Sequence, residues 1–226
     1  LANGQRCYPL TVLDDHSRFL IQLTACANMR TDTVQSALTA AFRCYGLPER
    51  MLMDNGTPWG DGAQTPYTRL TVWLLRLGIA VTQARPDHPQ TQGKDERLHR
   101  TLNEELLQYA HADTLRAWQH IFDPWRVFYN TERPHQALGH ATPASRCRAS
   151  PRPFPETLPA LLYPDTASLR RVDASGCFSF QGRVLRLGKA FRQHTIGLCF
   201  DPDTDGLLHA YFGQFRVRSF NLREVS

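Results

Sequence analysis

The sequence predicts an α/β layer over residues 1–145 and a small all-β domain over 160–226, joined by a linker at 146–159. Three observations predict it. In the first half, short β-rich runs alternate with segments of helical period. From Arg146 to Pro159 (RCRASPRPFPETLP) the composition turns to arginine, serine and proline, the signature of a linker. Beyond it, short apolar runs are divided by glycine-containing turns, the pattern of a small barrel or sandwich.

Leu1 to Gln5 reads as a hairpin turn. Cys7–Leu13 and Phe19–Ala25 follow as two antiparallel strands around the polar cluster Asp14 to Arg18, in which Asp14 and Asp15 shape the turn. Thr31 is expected to cap a helix through Val34, Leu38, Ala41, Phe42 and Tyr45, stopped by Gly46-Leu47-Pro48. Arg50–Met53 is a short strand ending at Asp54-Asn55-Gly56. Thr65-Pro66 should open a second helix through Leu70, Trp73, Leu74 and Leu77, with Gly78 closing it and Ile79–Thr82 following as a strand.

Arg85 to Gly93 (RPDHPQTQG) lacks apolar periodicity and holds two prolines, so it is expected to be a loop. A long helix should run from Lys94 to Tyr109, burying Leu98, Leu102 and Leu106 at intervals of four. Leu115, Trp118, Ile121, Trp125 and Phe128 mark another, which Pro124 should kink or split. After the linker, strands are expected at Leu169–Val172, Cys177–Phe180, Val184–Leu187, Ile196–Phe200, Leu208–Phe212 and Phe215–Val217.

At 42% hydrophobic and 21% charged, the 226 residues exclude wholesale disorder and a fibrous repeat. There is no run of about 18 apolar residues and no secretory leader at Leu1 to Arg6, so neither a membrane nor export is expected. The six cysteines are scattered without a CxxC pair, which fits free thiols in a reducing cytoplasm rather than a disulfide framework or zinc site. The net charge is +5, and Lys94 and Lys189 are the only lysines among 26 basic residues. Arginine grips phosphate bidentately, so this composition admits a polyanionic partner.

Asp54 stands at the carboxyl end of a strand, where an open α/β sheet exposes side chains to a crevice. Glu96, Arg100 and Asn103 fall at i, i+4 and i+7, on a different side of their helix from Leu98, Leu102 and Leu106. Arg133 and His135 follow Tyr129-Asn130 at a helix end, where they can complement the helix dipole and pin the last turn. Met53-Asp54-Asn55-Gly56, the run His88 to Leu102 (HPQTQGKDERLHRTL), and Tyr129-Asn130 with Arg133-Pro134-His135 occur in that order. Together they resemble the integrase catalytic core of bacterial insertion-sequence transposases, relatives of retroviral integrases with a DDE carboxylate triad on a ribonuclease-H-like fold.

The resemblance implies a mixed sheet with helices, followed by a small β-barrel. It makes Asp54 and Glu96 the second and third catalytic carboxylates and metal ligands, 42 residues apart, with Gly60–Thr65 as an insertion between them. It implies Mg²⁺ or Mn²⁺, two ions in the intact enzyme, because hard cations take oxygen ligands and a pair can stabilise both the attacking and the leaving oxygen. Lys94, Arg97, His99, Arg100 and Asn103 on the same helix are the candidate DNA contacts. The arginines of the tail make it a candidate non-specific DNA platform, with protein contact as the alternative. The family's first aspartate lies on a central strand ahead of the Ala2-Asn3-Gly4 turn, so the chain is expected to be incomplete at its amino end and inactive as written. The implied partners are element-end and target DNA and further copies of the chain, in a bacterial cytoplasm and at the nucleoid when bound. The alternatives are a non-catalytic DNA-binding or assembly fragment of such an element, and a nuclease of this fold without strand transfer.

Overall fold

The computed structural model describes residues 6–54, 56–60, 67–83 and 89–224. The expected amino-terminal turn and most of the Gly60–Thr65 insertion lie outside them. The chain gathers into two compact units, each discontinuous in sequence: Leu1–Leu47 with Ala84–Phe154, and Pro48–Gln83 with Pro155–Ser226.

In the first unit, β1 (Tyr8–Leu13) pairs antiparallel with β2 (Leu20–Cys26). Asp14 makes the turn between them, as expected. Its Oδ2 accepts from the Ser17 backbone N–H at 2.7 Å and from the Ser17 hydroxyl at 2.5 Å, which satisfies a fully buried serine. Helix α1 (Thr31–Tyr45) buries Val34, Leu38, Ala41 and Phe42. Its amino-terminal cap residue is Arg30 and not the expected Thr31, with no side-chain capping hydrogen bond; Asn28 Oδ1 receives the Arg30 N–H and the Thr33 hydroxyl and so steadies the entry to the helix. Gly46 ends the helix at φ 79°, where an added Cβ would lie 2.6 Å from the Ser150 carbonyl oxygen. That close approach is fixed by Leu47 N–H donating to Arg152 and Ser150 N–H donating to Tyr45. The start of the Arg/Pro-rich stretch is thus bound along the end of α1.

Helix α3 (Pro89–Leu102) begins five residues before the expected Lys94, because a proline is tolerated in a helix's first turn, where no N–H is needed. Of the expected loop, residues 85–88 lie outside the description and 89–93 are helical. A π-helical turn, Asn103–Leu107, replaces the regular end of the helix, and the widened turn brings both Leu106 and Leu107 against the core. Helix α4 (Leu115–Thr131) runs through Pro124 without splitting: the proline is exposed, while Phe122, Trp125 and Tyr129 anchor the helix on both sides of it. Helix α5 is short (Pro143–Arg146). The core of the unit joins Leu20 and Leu23 of β2, Leu98 and Leu102 of α3, and Phe122, Trp125 and Tyr129 of α4. Each fully buried leucine of this kind contributes roughly 1.5–3 kcal/mol.

In the second unit, β3 (Arg50–Met53) and β4 (Ala80–Gln83) pair in parallel, linked through α2 (Arg69–Arg76). The cap of α2 is Thr68, whose hydroxyl exchanges a capping box with Thr71; Thr65 and Pro66 lie outside the described residues. Six strands follow close to their expected places: β5 (Ser168–Arg171), β6 (Cys177–Phe180), β7 (Arg183–Arg186), β8 (Thr195–Phe200), β9 (Leu207–Phe212) and β10 (Phe215–Asn221). They do not close into a barrel. β10-β9-β8-β5 is an open four-stranded sheet, and β6-β7 is a separate hairpin. Val72 and Leu75 of α2 enter the same core as Phe178, Phe191, Phe212 and Phe220, so a helix of the α/β half completes the all-β core. The single mixed sheet is likewise not formed among the described residues: β1-β2 and β3-β4 are separate two-stranded ladders.

Candidate active-site carboxylates and nucleic-acid face

Asp54 is the first residue beyond the carboxyl end of β3 and is exposed, whereas Met53 before it is buried. The hydrophobic residue fixes the strand and leaves the carboxylate in solvent. Just after it, Trp59 and Gly60 N–H donate to the Gly56 carbonyl, and the Thr68 hydroxyl donates to the Pro58 carbonyl at 2.7 Å. The strand end carrying Asp54 is therefore tied to the start of α2.

Glu96 is exposed on α3, as are Arg97, His99 and Arg100, and Asn103 is exposed at the start of the π-helical turn that follows. Leu98 and Leu102 are each 2% exposed, so the packed stripe fixes which side of the helix meets solvent. Lys94 and His99 of the candidate DNA contacts are held by other residues of the first unit. Lys94 Nζ lies 2.5 Å from Asp15 Oδ1 and donates to the Asp15 carbonyl at 3.3 Å; His99 Nε2 lies 2.9 Å from Thr11 Oγ1 on β1. Asp15 is 82% exposed, so its pair with Lys94 contributes about 1 kcal/mol at most and leaves Lys94 open to competition by a phosphate.

Asp54 and Glu96 belong to different units. Each presents hard oxygen donors to solvent, the donor type that Mg²⁺ or Mn²⁺ takes. Among the described residues no group of three or more His, Cys, Asp or Glu is placed to hold a metal ion.

A second polar group lies under the end of α4. His135 packs edge-on against Tyr129 at 5.0 Å, and Tyr129 stacks on Trp125 at 5.3 Å. Arg133 is paired with Glu105, whose other oxygen accepts from Trp125 Nε1 at 3.2 Å. This is the pinning expected of Arg133 and His135. Burial pushes the Tyr129 phenol up to about 12, so it stays protonated. Burial lowers the His135 pKa, and the positive charges of Arg133, Arg18 and Arg97 lower it further. No spacing in the sequence announces Arg18 as a neighbour of this group, since its partners lie on α3 and beyond α4.

In the second unit, His209 is buried between Asp201 Oδ2 and Ser219 Oγ, each 2.8 Å from one ring nitrogen. Asp201 also receives the N–H groups of Asp203 and Thr204. The arrangement ties the β8–β9 turn to β10.

Profiles described as an integrase core domain match residues 1–89 and 77–143, and one described as the C-terminal domain of IS481 family transposases matches 167–226. The chain is 26% identical over 144 residues to the insertion element IS407 uncharacterized 31.7 kDa protein of Burkholderia multivorans, covering 64% of this chain and 50% of that protein. It is 31% identical over 84 residues to the transposase for insertion sequence element IS904 of Lactococcus lactis, covering 37% and 33%. The chain thus spans half or less of the length of these relatives. Among solved structures it is similar to the catalytic core domain of BIV integrase, with a TM-score of 0.46 and 21% identity over 62% of this chain and 89% of that one. It is also similar to a simian T-cell lymphotropic virus intasome in complex with the PP2A regulatory subunit B56 gamma, with a TM-score of 0.47 and 14% identity over 95% and 77%. No helix among the described residues is long and apolar enough to cross a membrane.

Proposed function

We propose that the chain, which matches integrase-core profiles over residues 1–89 and 77–143, belongs to the integrase-core proteins of bacterial insertion elements and is the core and C-terminal part of a DNA transposase. The reaction is in-line displacement at a DNA phosphorus: a water or a 3′ hydroxyl attacks, and a 3′ oxygen leaves. The observation that supports this reading best is the pair of exposed carboxylates, Asp54 past the end of a parallel strand and Glu96 on a helix whose other side is packed.

Asp54 and Glu96 are the proposed metal ligands. Mg²⁺ or Mn²⁺, two ions in the intact enzyme, would supply positive charge for the attacking and leaving oxygens. Two carboxylates are too few to bracket such a pair, so a third acidic ligand is required. Lys94, Arg97, His99, Arg100 and Asn103 position the phosphates next to the scissile bond. The proposed organisation is a core at 1–145, a linker at 146–159 and a C-terminal domain at 160–226, in line with the profile matches. The ribonuclease-H-like sheet, assembly of several copies on element ends, and action on the DNA of a bacterial cytoplasm belong to the same proposal.

The test uses a protein extended to the length of its relatives, with element-end DNA and Mg²⁺ or Mn²⁺. Cleavage and joined products are expected, both lost in Asp54→Asn and in Glu96→Gln while DNA binding persists. Near-normal activity in either variant refutes the site. Hydrolysis without joined products refutes a transposase in favour of a nuclease.

A further inference from the structure

We propose that Arg18, Arg97, Arg133 and His135 form a site for one backbone phosphate of the DNA, an assignment that rests on the DNA-acting function proposed above. Four observations carry it.

The Nε2 atom of His135 is buried and has no hydrogen-bond partner among the described residues. A buried ring nitrogen left unpaired is destabilising, and in the tautomer that carries its proton on Nε2 this position calls for an oxygen. The ring is packed on one side and its backbone is anchored. Its edge rests on Tyr129, and its backbone is held by the N–H of His135 donating to Ala141 and by its carbonyl accepting from Leu138 and His140.

The charge around the ring has one dominant sign. Arg18, Arg97 and Arg133 come from the β1–β2 turn, from α3 and from the segment after α4, and all three act on His135. The acids acting on the neighbouring Tyr129 are Asp95 and Glu105. Glu105 is already committed to Arg133 and Trp125, and this leaves Arg133 oriented, with further N–H donors available.

The arginines remain reachable. Arg97 is exposed and Arg18 half-buried, while the Arg133 side chain is 30% exposed. Arg18 is held in the left-handed region at φ 61°, a conformation disfavoured for a residue of this kind and so one that needs support from its surroundings.

The chemistry of the set selects the ligand. Guanidinium forks match phosphate oxygens bidentately, and a neutral imidazole N–H adds one uncharged donor from beneath. Arg97 adjoins Glu96, so a phosphate held here is kept beside the proposed catalytic helix.

The test titrates the 226-residue protein with inorganic phosphate and follows the His135 ring by NMR, with His135→Phe assigning the resonance. A saturable shift is expected, together with a rise in the ring's pKa as the anion offsets the guanidinium charge. Arg18→Asn should weaken phosphate binding about fivefold or more without moving the unfolding midpoint, because asparagine tolerates a left-handed backbone. In a second arm, the same variant should reduce the slope of log affinity for a DNA duplex against log salt by about 0.9. Absence of a saturable phosphate response overturns the site. A response with an unchanged DNA slope overturns its assignment to the DNA backbone. A response lost in Arg18→Asn, in a protein that binds no DNA at any salt concentration, upholds the anion site and refutes the DNA-acting function. Should His135→Phe fail to fold, Arg18→Asn carries both arms.

Discussion

The carboxamide of Asn130 occupies both backbone groups of Leu20: the Leu20 N–H donates to Oδ1 at 2.8 Å, and Nδ2 donates to the Leu20 carbonyl at 3.0 Å. It is one of three α4 side chains that serve β2 in this way. Gln119 accepts from Ala25 N–H at 2.9 Å and donates to the Leu23 carbonyl at 3.0 Å, and Arg126 donates to the Ile21 carbonyl at 2.5 Å. The side of β2 away from β1 is thereby paired by a helix instead of a strand, which satisfies backbone groups that burial would otherwise leave unmet.

Asn130→Ala removes both partners of a fully buried backbone pair, so the expected loss is about 2–3 kcal/mol of stability, measured by urea unfolding. Asn130→Asp keeps the acceptor but sets a carboxylate against the Leu20 carbonyl, and it should be destabilised at neutral pH and partly recover in acid. Equal stability of wild type and both variants would remove the clamp from the account of the fold.

Leu98 is 2% exposed and packs with Leu102, Leu20 and Phe122. Leu98→Ala is expected to cost about 2–5 kcal/mol, whereas Arg100→Ala on the exposed side should stay within about 0.5 kcal/mol. Thermal unfolding of the two variants side by side distinguishes a packed stripe from a helix held mainly by its own propensity. The same pair separates the roles of the two sides, since only Arg100→Ala should weaken DNA binding in a folded protein.

The packed stripe was legible in the sequence because a period of 3.6 residues is a local property, and the six C-terminal strands were legible because glycine turns bracket them. What was not legible depends on distant partners. Pro89 looks like a breaker until it falls in a first turn. Leu107 joins the core because of a π-turn that no spacing announces. Whether β6-β7 joins β5 and β8 in a closed barrel depends on pairing between strands, not on the strands themselves. The candidate carboxylates Asp54 and Glu96 were named from ordered motifs, but the neighbourhood of Arg18 and His135 comes only from the fold.

Gly197 shows such a distant constraint. It sits in β8 under the ring of Tyr163, where an added Cβ would come within 2.5 Å of the ring. Tyr163 is in turn anchored by its hydroxyl donating to the Thr195 carbonyl at 2.7 Å. Gly197→Ala must displace that ring, so a cost of about 1–3 kcal/mol is expected. Combining it with Tyr163→Ala should cost less than the sum of the single changes by 1 kcal/mol or more in a double-mutant cycle. Additive effects would show that the ring moves freely.

His194 gives the second unit a pH dependence whose sign can be worked out. Burial against Phe212, with the ring centroids 5.3 Å apart, lowers its pKa, and the charge of Arg76 lowers it further. The folded state therefore holds a proton less readily than the unfolded chain, in which histidine titrates near pH 6.5. Above that value both states are neutral at this position and the full stability is present. As the pH falls from about 6.5 through the lowered folded pKa, the unfolded chain takes up its proton first, and stability is lost. His135 carries the same sign in the first unit. Melting curves between pH 5 and 8 should show stability declining below about 6.5, with a flatter profile in His194→Phe. A steeper profile in that variant, or an increase in stability toward pH 5 in the wild type, would contradict a ring kept neutral by burial and by Arg76.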